Sequence, residues 1–126
     1  LHSHMTGNVC TFAQHGALAA LELPASFHEK QRMIFQKRRD LAFASAARLF
    51  DCLKPRGGFF VWADARRHLG RRFKTTVALA QSLLRSGVAV VPGSSCGREG
   101  WLRLSFSGSE ENTRKGFTLI EKALCP

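Results

Sequence analysis

Residues 100 to 106 read Gly-Trp-Leu-Arg-Leu-Ser-Phe, or GWLRLSF. Strict alternation marks a strand whose side chains leave on opposite faces. Leu102, Leu104 and Phe106 share one face, which is a core face. Trp101, Arg103 and Ser105 share the other, so an arginine stands beside an indole and a hydroxyl. A guanidinium fork matches a carboxylate with two parallel hydrogen bonds, and aromatic neighbours strengthen such a pair. Three readings of Arg103 are open at this point. It binds an anion, it pairs with Asp64 or another acid of the domain, or it carries its charge out to solvent.

Working outward, Phe59 to Asp64 (FFVWAD) is a second short strand. It is apolar on both faces, which predicts an inner strand covered by helices. Asp64 reads as the polar end of that strand rather than as a catalytic acid. Val88 to Val91 predicts a third strand, followed by a turn at Pro92-Gly93. The Gly- and Ser-rich loop after it has neither order of glycines that cradles phosphate groups. Between the strands, TTVALAQSLLRSG predicts a helix capped by Thr75 or Thr76 and closed by Gly87, with Val77, Ala80, Leu83 and Leu84 inward. Ser109 caps a last helix with Glu110 and Glu111 in its first turn and Thr113, Phe117, Ile120 and Leu124 as its apolar stripe.

Upstream, TFAQHGALAALEL predicts a short helix rich in small residues, ended by Pro24. Its small-residue side is suited to packing on structure outside this chain, or to docking on the domain as an ordinary terminal helix. Ser26 and Glu29 then form a capping-box pattern. They open a periodic run of about 25 residues, long for a small domain and typical of a helix that bridges two domains. Phe27, Met33 or Ile34, Leu41, Ala44 and Leu49 are its expected stripe. The fold expected is α/β: a small three-stranded sheet covered by helices and preceded by a long inter-domain helix.

The chain has 126 residues, 44% of them hydrophobic, enough for one domain with a real core. Its formal charge is +10. The charge concentrates in Lys37-Arg38-Arg39, Arg66-Arg67 and Arg71-Arg72-Phe73-Lys74, without aromatics spaced to stack successive bases. A solvated basic face is expected, and nucleic acid is not the expected partner. Cys10, Cys52, Cys96 and Cys125 form no metal-spaced pair, so no zinc site is expected. The start LHSHMTGN has no apolar signal segment, no run approaches the length of a membrane span, and a cytoplasmic location is expected.

Several of these stretches together resemble one family. SHMTGNVCTFAQHGALAALELP, RRDL, KPRGGFFVW, GVAVVPGSSCG and WLRLSFSGSEEN resemble the C-terminal part of class I/II, aspartate-aminotransferase-like enzymes of pyridoxal phosphate fold type I. The resemblance covers essentially the whole chain. It implies that residues 1–24 are a remnant of the large cofactor-binding domain and residues 25–126 the small domain. It implies that Arg103, the arginine of RLS, grips the substrate α-carboxylate. Thr6 and Asn8 fall in the family's cofactor and dimer-interface region. The complete enzyme is expected to transfer an amino group between an amino acid and a 2-oxo acid with pyridoxal phosphate, as a homodimer.

The sequence departs from the pattern at Gly7, where a serine is usual, at Val9, where a proline is usual, and at Cys96, where an aromatic is common. The stretch between Leu49 and Pro55 is about two residues short. None of Lys30, Lys37, Lys54, Lys74, Lys115 and Lys122 matches the Schiff-base lysine. No cofactor is therefore expected on this chain, and no residue of it is expected to be catalytic. The alternative is a non-catalytic basic α/β module that binds an acidic partner.

Overall fold

The computed structural model describes Gly7 and residues 9–124. The chain divides into two compact units, residues 1–33 and residues 34–126. In the first unit, α1 spans Thr11–Leu21 and α2 starts at Ala25, running on to Leu49. Every described residue from Gly7 to Lys30 is exposed, including Phe12 at 81% and Leu21 at 78%. This unit therefore has no core of its own among the described residues.

The expected capping box does not form. The helix begins two residues early, at Ala25 directly after Pro24, whose carbonyl accepts from the Phe27 N–H at 2.8 Å. Ser26 thus falls inside the first turn. Glu29 instead accepts from Arg32 Nε at 3.1 Å and Nη2 at 2.5 Å. An arginine three residues on is its neighbour on the helix surface.

The second unit contains β1 (Asp51–Cys52), β2 (Phe60–Asp64), α3 (Thr76–Arg85), β3 (Val91–Pro92), β4 (Trp101–Ser105) and α4 (Glu110–Leu124). Two 3-10 turns, Arg66–His68 and Gly93–Cys96, complete it. The antiparallel sheet has the order β1-β2-β4-β3. The three expected strands are present, and β1 adds a fourth at the edge, where Asp51 faces Asp64 and Cys52 faces Ala63. Two residues are too few to show a pattern. The third strand is shorter than expected, starting at Val91 rather than Val88. The Val88 N–H goes to the Leu83 carbonyl at 2.9 Å, closing the end of α3 rather than joining the ladder.

One sheet face is the core. Val61, Ala63 and Leu102 are fully buried, with Leu104 at 4% and Phe106 at 1% exposure, as alternation predicted for β4. Burial of each such Leu or Phe contributes roughly 1.5–3 kcal/mol. The end of α2 docks on this face through Ala42, Ala46, Leu49 and Phe50. Ala44, expected in the stripe, is exposed; the contact is made by the alanines at 42 and 46, whose small side chains permit close approach. The inward face of α3 is also turned from the expectation. Thr76, Leu79, Ala80 and Leu83 are buried, while Val77 and Leu84 are 41% and 60% exposed. In α4, Thr113, Phe117 and Ile120 are buried as expected.

The caps are formed by side chains close in sequence and by two that are remote. Thr75 Oγ1 accepts from the Ala78 N–H at 3.2 Å, and Ser109 Oγ from the Asn112 N–H at 3.1 Å. The Glu99 carboxylate accepts from the Thr76 N–H at 2.6 Å and Oγ1 at 2.9 Å, placing negative charge at the start of α3. At the other end of α2, Arg67 Nε donates to the Leu49 carbonyl at 2.9 Å and Nη2 to the Arg48 carbonyl at 3.2 Å. Within the polar connection between β2 and α3, Phe73 is buried in the core.

Candidate functional site

The sheet face opposite the core carries Phe60, Trp62 and Asp64 from β2 and Trp101, Arg103 and Ser105 from β4. Cross-strand register sets Arg103 opposite Trp62, Trp101 opposite Asp64 and Ser105 opposite Phe60. The expectation that both faces of β2 are covered by helices is corrected here. Phe60 is 37% exposed and its neighbour Phe59 is 54% exposed. Period-2 alternation groups Phe60, Trp62 and Asp64 on one face of β2, and the register against β4 makes it the Arg103 face. The apolar character of FFVWAD hid it.

The aromatic side chains organise this face. The Trp62 and Trp101 rings stack with centroids 5.8 Å apart and 15° between planes. The Arg98 guanidinium lies 4.7 Å over Trp101. Arg103 lies 5.2 Å over the Phe60 ring. A guanidinium over a ring face is held by the ring quadrupole while its N–H groups stay available at the edge.

Among the described residues no carboxylate pairs with Arg103. Asp64 belongs to Arg66, which donates its backbone N–H at 3.0 Å and its Nη2 at 2.5 Å. The Arg66 hydrogen bonds hold the Asp64 carboxyl below its ordinary range despite its burial. Of the alternatives for Arg103, the pair with Asp64 is thus excluded. Ser105 Oγ shares a hydrogen bond of 2.9 Å with Ser107 Oγ.

Beside Trp62 and Trp101, a depression of about 670 Å³ is floored by Phe50 and rimmed by Leu53 and Lys54. Lys54 pairs with Asp40 at 2.9 Å. Cys96 is an exposed thiol in the second 3-10 turn. Thr6 and Asn8 lie outside the described residues. Among the described residues no cluster of three or more His, Cys, Asp or Glu could hold a metal ion, and no helix is long and apolar enough to cross a membrane.

Pyridoxal phosphate requires an amine held at its aldehyde and a cradle for its phosphate. All six lysines are exposed helix or loop residues: Lys30, Lys37, Lys54, Lys74, Lys115 and Lys122. Only Lys54 comes beside the Arg103 face, at the rim of the depression, and it is paired with Asp40. The described residues do not make a pyridoxal phosphate site.

The sequence model of the family described as aminotransferase class I and II matches residues 1–120. A probable aspartate/prephenate aminotransferase of Aquifex aeolicus is 41% identical over 129 residues, covering 98% of this chain and 32% of that protein. The crystal structure of the aspartate aminotransferase from Rhizobium meliloti aligns with a TM-score of 0.83 at 30% identity, covering 97% of this chain and 33% of that one. The Thermus thermophilus aspartate aminotransferase with maleate aligns with a TM-score of 0.70 at 34% identity, covering 78% and 25%. The chain spans about a third of the length of the curated relatives it matches.

Proposed function

This chain belongs to the class I and II aminotransferase family, and on that premise we propose that Arg103 is the grip for a substrate carboxylate. The α/β unit of residues 34–126 has the small-domain fold of these fold type I enzymes. In the proposal, residues 1–24 belong with a large cofactor-binding domain and residues 25–126 form the small domain. Thr6 and Asn8 belong to the cofactor and dimer-interface region. The complete enzyme, a homodimer, moves an amino group between an amino acid and a 2-oxo acid. The Schiff-base lysine and most of the groups that hold pyridoxal phosphate come from the part of the enzyme that this chain does not span.

The observation that carries the reading is the state of Arg103. Its guanidinium lies over Phe60 on the uncovered face, without a carboxylate partner among the described residues. An arginine held by an aromatic ring and not by an acid is preorganised for an incoming carboxylate. The Thermus thermophilus relative was solved with maleate, a dicarboxylate, and a carboxylate is the ligand proposed here. What Arg103 contributes is orientation: two fixed hydrogen bonds leave the amino acid few ways to lie.

In a complete enzyme carrying this segment, Arg103→Ala is expected to cost about 2–5 kcal/mol, roughly 30- to several-thousand-fold in kcat/KM. Arg103→Lys recovers part of the loss, because an ammonium has no bidentate fork. Near-normal kinetics of Arg103→Ala with α-amino acids would defeat the reading. The 126-residue chain by itself is expected to show no amino-group transfer with added pyridoxal phosphate, and turnover assigned to one of its lysines would contradict that.

A further inference from the structure

Arg103 and Asp64 share one sheet face and occupy opposite corners of a four-residue block. Asp64 stands across from Trp101 and Arg103 across from Trp62. Diagonal neighbours in an antiparallel pair are about 7–8 Å apart, within reach of an arginine side chain. Asp64 is only 9% exposed, and an acid so placed takes whatever cation it can reach. It does not take Arg103, and two features explain why.

The first is an aromatic wall. The other diagonal of the block is filled by the stacked indoles of Trp62 and Trp101, so the line from Arg103 to Asp64 runs across their rings. The second is that Asp64 is already held. Arg66 reaches it with its backbone N–H at 3.0 Å, with Nε at 3.0 and 2.9 Å to the two oxygens, and with Nη2 at 2.5 Å. Gly100 makes the room for this. With φ at +88°, it leaves bare backbone where a Cβ would come within 2.6 Å of the Arg66 Cγ. Other charges near Asp64 are Arg98, which also lowers its carboxyl, and Asp51, across from it on β1.

We propose that Arg66 is a positioning residue: by occupying Asp64 it keeps the Arg103 guanidinium free of an internal partner and open to a carboxylate ligand. The inference rests on the reading of Arg103 as a carboxylate grip. One acid lies near three arginines, Arg66, Arg98 and Arg103, and Arg66, closing a ring within three residues, takes it.

The Arg66 side chain is 70% exposed, so Arg66→Ala removes the contact without opening the core. In the full chain labelled with carbon-13 and nitrogen-15, NMR follows the Asp64 carboxyl carbon and the Arg103 Nε–Hε pair through an acid titration, with maleate as the added probe. In the native chain the Arg103 signal is expected to ignore Asp64 ionisation and to move with maleate. In Arg66→Ala, or in Arg66→Ala combined with Trp62→Leu where the wall alone keeps the groups apart, the Arg103 signal follows the Asp64 midpoint. Its maleate response then falls several-fold, and adding Asp64→Asn restores it.

An Arg103 signal blind to Asp64 ionisation in both variants overturns the proposal. So does the pattern of a merely structural residue, in which Arg66→Ala lowers the melting temperature and leaves both responses unchanged. If Arg103 couples to Asp64 in the variants while maleate moves it in no form of the chain, the carboxylate-grip reading falls, and the purpose assigned to Arg66 falls with it.

Discussion

Gly93 is the position where one added methyl group should do the most damage. A Cβ there would sit 2.2 Å from the Arg98 carbonyl oxygen, 2.6 Å from the Trp101 carbonyl oxygen and 2.9 Å from the Trp101 Cβ. None of these is the free end of a flexible side chain. The Arg98 N–H is moreover tied to the Gly93 carbonyl at 2.9 Å, so the loop cannot swing away without losing that bond. Overpacking typically costs about 1–3 kcal/mol, and backbone on two sides puts Gly93→Ala near the upper end, at about 3 kcal/mol. For a unit of this size each kcal/mol shifts Tm by roughly 4–8 °C, so a fall of roughly 12–24 °C is expected.

Gly97→Ala is the control. Its φ is +76° but a Cβ would meet nothing within 4 Å, so only left-handed strain of roughly 1–2 kcal/mol applies. Differential scanning calorimetry on both variants, with urea melts at unchanged m-value, makes the comparison. A Gly93→Ala chain melting within about 1 kcal/mol of the native one, or above Gly97→Ala, would refute the steric reasoning.

Phe106→Ala, which empties a site 1% exposed, is expected to cost about 3–5 kcal/mol, read by urea denaturation. Glu99 is held below its ordinary range chiefly by the Thr76 N–H. Its contribution is therefore present above the unfolded value of about 4.3 and lost as pH falls through the lower folded value; Glu99→Gln should flatten that part of the stability-against-pH curve, as checked by thermal melts across the acid range. Amide hydrogens of α1, none of whose residues is buried, should exchange much faster than those of β4 in a dilute monomer. Equal protection by mass spectrometry would contradict this.

What the sequence disclosed followed the strength of its periodicity. The alternation from Trp101 to Phe106 has one solution, because Leu102, Leu104 and Phe106 can only share a face, and the structure buries all three. α3 has two near-equivalent rotations, since Val77 and Leu84 are as apolar as Leu79 and Leu83. The choice was made by tertiary contact. The docking of α2 was obscured because Ala42 and Ala46 carry little hydrophobic weight and do their work by being small. The capping box at Ser26 was overridden by Pro24 and Arg32, each a stronger local partner. In the candidate site, Arg103 was legible from its own strand. Phe60, Trp62 and Arg66 were not, because their roles depend on how β2 registers against β4, and register is a property of two strands.

The stacked indoles on the uncovered face also fix how the molecule interacts with light. They are both of the chain's tryptophans, and the chain has no tyrosine. Emission excited at the red edge of the protein spectrum therefore has a single address. Two indoles with centroids 5.8 Å apart share their excitation, and a skew between their in-plane transition dipoles gives a paired band of opposite signs in circular dichroism. Anything that lands beside Arg103 or parts the rings alters that band, whereas events among the helices on the opposite face leave it dark. The chain carries its own unlabelled optical probe on the surface where its ligand is proposed to bind.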